Sequence, residues 1–165
     1  MLKNTGVATQ EDINGVFPTE ERLKKGPVAV IECYQEIPCN PCYTACHLGA
    51  ITPFEDINDL PNFISEKCTG CGLCVAKCPG LAIMVIDATY SETEAVMKIP
   101  YEFRPLPVEG DILKGVDREG QYVDDVRIVK VQNPKSFDRT PIIWMAMKKE
   151  HIKTIRNFQM EGLYE

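Results

Sequence analysis

All eight cysteines of this 165-residue chain fall between positions 33 and 78, in two sets of four. Cys68, Cys71, Cys74 and Cys78, followed by Pro79, are spaced C-x2-C-x2-C-x3-C-P. Cys33, Cys39, Cys42 and Cys46 form a looser copy, C-x5-C-x2-C-x3-C. The sets are an internal repeat. Cys39, Cys42, Cys46, Ala50 and Ile51 return as Cys71, Cys74, Cys78, Ala82 and Ile83, each 32 positions later. The same offset sets Glu36 opposite Cys68, so the first cysteine of copy one has moved three residues back, to Cys33.

Clustered cysteines mean disulfides in an oxidising compartment and metal or redox chemistry in a reducing one. The opening MLKNTGVATQEDING has neither an apolar stretch nor a basic lead-in, so it does not read as a signal peptide. Leu81–Ile86, the longest apolar run near the motif, is too short to cross a bilayer. The expected compartment is therefore the cytoplasm, with no membrane partner. A formal charge of −6 argues against nucleic acid as a partner. With 44% apolar and 25% charged residues, the chain suits a folded protein with one ordinary domain or two small ones.

Three cysteines two residues apart supply three thiolates from one wrapping loop, and a fourth follows on a different heading. That run is how chains hold cubane [4Fe–4S] clusters. Zinc sites instead use well-separated C-x2-C pairs. The x5 spacing leaves two forms open for the first centre: a full cubane over a bulged loop, or a three-iron form.

Along the chain, Thr9 caps a short helix with Gln10, Glu11 and Asp12 in its first turn. Pro18-Thr19-Glu20-Glu21 opens another that ends at Lys24, Lys25 and Gly26. This arm is expected either on the surface or wrapped around a partner. Val28–Glu32 and Ile83–Asp87 read as strands that pair antiparallel around the cysteine loops, and Ile51-Thr52 and Phe63–Ser65 as a hairpin. Beyond Asp87, strands are expected at 95–99, 111–116, 121–123, 126–131 and 142–147, with a turn at 117–120. Such short strands suggest a small sandwich or barrel. Ile152, Ile155 and Phe158 give an apolar stripe for a last helix from Lys149. The expected boundaries are 1–32 for the arm and first strand, 33–88 for the cluster unit and 89–165 for the β-rich extension.

Residues 28–87 resemble the bacterial two-cluster ferredoxins of clostridial type, on the strength of the eight-cysteine pattern. The resemblance implies an α+β class. A ferredoxin-like dicluster unit would stand between an N-terminal helical arm and a small β-rich extension ending in a helix. It also implies that each loop lends its last thiolate to the other cluster. One [4Fe–4S] cluster would take Cys33, Cys39, Cys42 and Cys78, and the second Cys68, Cys71, Cys74 and Cys46. His47 departs from the pattern, standing where the family usually has proline. The phrases GPVAVIECYQEIPCNPC and RTPIIWMAMKKEHIKTIRNF are also similar to the small iron–sulfur subunits of flavin-dependent amine or amino-acid dehydrogenase complexes of anaerobic bacteria. That likeness implies flavoprotein partner subunits in a hetero-oligomeric oxidoreductase, and no catalysis by this chain alone.

Local chemistry suggests unequal clusters. Thr69-Gly70 and Gly72 offer free N–H groups around Cys68–Cys74, and Lys67 and Lys77 add positive charge. Pro38 and Pro41 lack N–H groups around Cys33–Cys42, and Glu36 adds negative charge. The Cys33/Cys39/Cys42/Cys78 cluster is therefore expected at the lower potential. His47 reads either as an exposed loop residue without a special role or as a donor to a ligand sulfur that tunes its cluster, His151 as a solvated helix residue, and Trp144 as core or interface. The glycines at 110, 115 and 120 serve turns, so flavin or nicotinamide binding is not expected. Two other functional classes stay open: a free carrier serving many partners, and a binding module with structural clusters.

Overall fold

The computed structural model describes residues 2–160. Its spine is a seven-stranded antiparallel sheet in the order β1-β2-β3-β6-β5-β4-β7. The strands are β1 Val28–Ile31, β2 Ile83–Asp87, β3 Glu94–Pro100, β4 Ile112–Val116, β5 Tyr122–Gln132, β6 Ile142–Lys148 and β7 Asn157–Gln159. Five short helices accompany it: α1 Leu2–Thr5, α2 Gln10–Val16, α3 Glu20–Leu23, α4 Pro41–Ala45 and α5 Leu73–Lys77.

The expected β1–β2 pair forms, with Val28 opposite Ile86 and Ile31 opposite Ile83. It does not close on itself. β2 pairs onward with β3, and β3 with β6, so the strands around the cysteine loops continue into those beyond residue 88. The expected sandwich or barrel is thus corrected to one open sheet. Over β1, β2, β3 and β6 both faces are already covered, by the arm on one side and the cysteine loops on the other.

Alternation sorts side chains between the faces. One face carries Val28, Val30, Met84, Ile86, Met97, Ile99, Met145 and Met147, buried with residues of the N-terminal arm. The other carries Ala29, Ile31, Ile83, Val85 and Ile142, packed against the cysteine loops. One row crosses this second face: Ala29 lies opposite Val85, Val85 opposite Lys98, Lys98 opposite Trp144, and Trp144 opposite Lys130.

The arm begins as its sequence suggests. Thr9 Oγ1 accepts from the Asp12 N–H and the Asp12 carboxylate accepts from the Thr9 N–H, a reciprocal cap on α2. Thr19 caps α3 in the same way, through the Arg22 N–H. The arm is not a surface appendage, however. Ile13, Phe17 and Leu23 are buried in the first face's core, and Arg22 is buried as well.

The final helix expected over Ile152–Phe158 is also corrected. The chain makes a 3-10 turn at Lys149–His151 and then runs extended as β7, pairing Phe158 with Gly115 and Asn157 with Val116. Ile155 and Phe158 are buried as the stripe implied, and Phe158 stacks on Tyr101 at 4.7 Å between ring centroids. The β-branched residues in IKTIRNF favour extended backbone, and β4 offered an open edge whose N–H and C=O groups needed partners. Gly115 permits the close approach: a Cβ there would stand 2.6 Å from the Asp124 carbonyl oxygen and 3.0 Å from the Ile155 side chain.

Candidate metal centre

Each cysteine loop runs into a short helix that fixes its last two sulfurs. Pro41 opens α4, its missing N–H costing nothing at a helix start, and Cys42 sits on the first turn. Cys46 caps the helix end, its N–H donating to the Tyr43 carbonyl at 3.1 Å. The second copy repeats this with Cys74 inside α5 and Cys78 at its end, its N–H bonded to the Cys74 carbonyl at 3.1 Å. α4 and α5 pack on one another. The hairpin between the copies is reduced to a bridge, Ile51 to Phe63, flanked by Ile64 N–H to Ala50 and Thr52 N–H to Asn62. The spacer also holds the enlarged first loop, because the Cys39 N–H donates to the Ile57 carbonyl at 3.1 Å.

The cysteines gather around two small, mostly apolar hollows. Cys33, Cys39, Cys42 and Cys78 line one, with Ile31, Phe54 and Ile83 as its walls. Cys46, Cys68, Cys71 and Cys74 line the other, walled by Ala29, Ile51, Phe63 and Val85. In each, three sulfurs come from one loop and the fourth from the other. The sulfurs ring a space rather than meeting at a point: among the described residues no three His, Cys, Asp or Glu side chains converge to hold a single ion. Four thiols around an apolar hollow fit a polynuclear iron–sulfur body. A larger cavity of about 570 Å³ lies elsewhere, beside Glu32, Tyr34, Arg118 and Arg156, with no cysteine in its lining.

Burial dominates the thiol chemistry. It pushes Cys74 up to about 12, with the neighbouring Cys68, Cys71 and Cys46 adding to the rise. It pushes Cys42 up to about 11, opposed by a backbone hydrogen bond from Tyr43 and reinforced by Cys78, Cys39 and Cys33. Cys33 is also raised by burial, then by Cys78 and Cys39, against a backbone bond from Gln35. Such thiols ionise at neutral pH only when a metal takes the proton's place. Of the eight cysteines, Cys71 alone is exposed.

Hydrogen bonds to sulfur come from backbone amides. Ala29 and Gly70 N–H groups donate to Cys68 Sγ at 3.4 and 3.3 Å, and the Ala82 N–H donates to Cys78 Sγ at 3.4 Å. Backbone N–H groups of Gln35 and Tyr43 act on Cys33 and Cys42 against the effect of burial. Gly70, expected as a donor around the second loop, is one of the two amides on Cys68.

The expected charges also move. Lys77 is engaged with Asp138, and Lys67 and Glu36 are exposed. The cations that press on the second loop are two that the sequence did not single out. Buried Arg22 donates to the carbonyls of Ser65 at 2.8 Å, Gly26 and Pro27 at 3.0 Å, and Cys68 at 2.6 Å. Buried Lys98 donates from Nζ to the Gly70 carbonyl at 2.9 Å and lies 4.1 Å from the Trp144 ring centroid. Beside the first loop, Glu32 pairs with both Arg118 and Arg156, while Arg156 also donates to the Leu81 carbonyl at 3.0 Å.

His47 is exposed on the turn after Cys46. His151 lies in the 3-10 turn, 3.4 Å from Asp124, rather than on a helix. Trp144 is partly buried beside the second site, its Nε1 donating to Gln132 at 2.7 Å.

A family model for a 4Fe-4S dicluster domain matches residues 37–82, a span that includes seven of the cysteines and leaves Cys33 just outside. No curated protein and no solved structure matches the chain. The dicluster match supports a ferredoxin-like domain with an iron–sulfur electron-transfer role. Among the described residues, no helix is long and apolar enough to cross a membrane.

Proposed function

We propose that this chain is the electron-transfer subunit of a larger oxidoreductase, carrying two [4Fe–4S] clusters. Cys33, Cys39, Cys42 and Cys78 would hold the first, and Cys46, Cys68, Cys71 and Cys74 the second. The observation that carries this reading is the pair of cavities, each lined by three sulfurs of one loop and one of the other. Each cluster, when bound, supplies reversible one-electron chemistry. The chain's own residues do the rest. Ile31, Phe54 and Ile83 keep water from the first site, and Ala29, Ile51 and Val85 from the second. The amides of Ala29, Gly70 and Ala82 stabilise negative charge on Cys68 and Cys78.

Its place is between redox cofactors on partner subunits, most simply flavins, in a complex of the amine or amino-acid dehydrogenase kind. The sequence likeness described above supports that context. So do exposed apolar side chains beside the first site, Ile37, Ile57 and Leu60, which suit a docking flavoprotein. Substrate chemistry would then belong to the partners.

The test is anaerobic native purification with iron, sulfide and zinc counts, identification of co-purifying subunits and an EPR-monitored redox titration. Iron and sulfide for two four-iron centres, together with a flavoprotein partner, are expected. Zinc, or iron well short of two such centres, would overturn the cluster assignment. A chain that elutes alone but titrates fully would instead be a free carrier.

A further inference from the structure

The two sites differ in their amide donors, and a charge held close to one of them would add a further difference. The second face of the sheet supplies one. The row from Ala29 to Lys130 aims a single lysine, Lys98, at the loop between Cys68 and Cys71. Its Nζ reaches the Gly70 carbonyl at 2.9 Å, while the Gly70 N–H donates to Cys68 Sγ at 3.3 Å. Gly70 therefore sits between the cation on its carbonyl and the ligand sulfur on its N–H, in two successive peptide units. The cation polarises the Gly70–Cys71 peptide and places positive charge directly beside the stretch that joins the Cys68 and Cys71 ligands. The Trp144 ring lies against the ammonium at 4.1 Å, and Lys98 is only 8% exposed, so solvent screens its charge poorly.

The alternatives are weaker levers. Lys67 is exposed and Lys77 is matched by Asp138. Lys130, one strand farther from the loop, has its Nζ 5.1 Å from the centroid of the same Trp144 ring. Arg22 is buried at the far end of the loop, but it holds four carbonyls and its removal would loosen the loop itself. Around the first site, Arg118 and Arg156 are partly offset by Glu32. Burial opposes the charge on Lys98, while Asp87 and then Cys71 favour it.

We propose that Lys98 is a built-in positioning cation that raises the reduction potential of the cluster on Cys46, Cys68, Cys71 and Cys74. An electron entering the chain then rests at the centre whose Cys71 ligand faces the surface. The inference rests on the two-cluster reading above and extends it to a residue outside the matched domain.

The experiment is an anaerobic titration with dithionite and mediators, followed by EPR, on wild type, Lys98→Met, Lys98→Gln and Lys98→Arg, each with iron and sulfide counted first. Lys98→Met is expected to lower the second cluster's reduction equilibrium at least tenfold, about 59 mV for one electron, and to leave the first within twofold. Lys98→Gln keeps a donor for Gly70 without the charge and should shift in the same direction, while Lys98→Arg should stay close to wild type. A fully loaded Lys98→Met with an unmoved second step overturns the inference and leaves the relay intact. If Lys98→Met loads poorly, equal potentials for the Gln and Arg variants overturn it in the same way. A wild-type protein with fewer than two reducible centres overturns the relay reading first, and this inference with it.

Discussion

Around Cys68 the chain is gripped from three sides: by Arg22 of the N-terminal arm, by Lys98 of β3, and by Pro27, which packs directly on Gly70. Around Cys33 and Cys39 the chain is longer and held by one amide on the Ile57 carbonyl and by the Glu32 ion cluster behind it. The loops descend from one repeat, yet they answer different demands. The second copy is compact, and its turn is held at Cys68 and Gly70 by residues outside the repeat. The first has kept its sulfurs and relaxed its backbone. Equal spacing in sequence therefore does not mean equal rigidity or equal electrostatics.

The strongest test of that contrast uses glycines. Gly70 has φ +66°, and a Cβ there would stand 2.4 Å from Pro27 Cβ. Gly49, on the first copy's side, has the same φ of +66° and open space around it. Gly70→Ala should destabilise the loaded protein by about 3 kcal/mol or more and cost it the second cluster, combining left-handed strain with overpacking. Gly49→Ala should cost about 1 kcal/mol, from backbone strain alone. Anaerobic denaturation with iron counts checks both, and equal losses would erase the distinction between the loops.

A middle-sized effect comes from pH. Thiols ligate only after losing a proton, so raising the pH strengthens iron retention and lowering it weakens retention. Cys74, pushed up to about 12, stays protonated in the absence of metal over a wider range than Cys42, pushed up to about 11. Both lie above neutral pH, so both sites should hold iron better against a chelator at about pH 9 than at about pH 6, with no plateau between. Iron release followed by EPR resolves the sites, and a flat profile at the second would contradict the role given to burial.

The smallest effect is expected at Lys77. Its pairing with Asp138 leaves the two side chains 41% and 77% exposed. Lys77→Met should change stability by less than about 1 kcal/mol and leave both reduction potentials in place. A shift as large as that of Lys98→Met would show that surface charge, not buried charge, separates the two centres.

Much of this was legible in the chain itself. The cysteine spacing pointed to the cluster-binding segment, and the β-branched runs located β1, β2, β3 and β6 because alternation and burial act locally. What the sequence hid was long-range. Lys98 sits in a strand where an alternating lysine reads as a solvent-facing residue. Only the pairing of β3 with β2 turns that face towards the Cys68 loop. Arg22 likewise reads as one more charge on a capped surface helix, and its role depends on carbonyls more than forty residues away. The stripe at Ile152, Ile155 and Phe158 misled for a related reason: spacing by three marked side chains that are buried, but the open edge of β4 decided the backbone they ride on.

The exposure of Cys71 has a cost as well as a use. An oxidant that reaches this sulfur need not wait for the fold to open, whereas Cys42 and Cys74 are shielded until it does. The working life of the protein in air is thereby tied to the guarding of one side chain, and whatever docks over that surface would act as a shield as much as a wire.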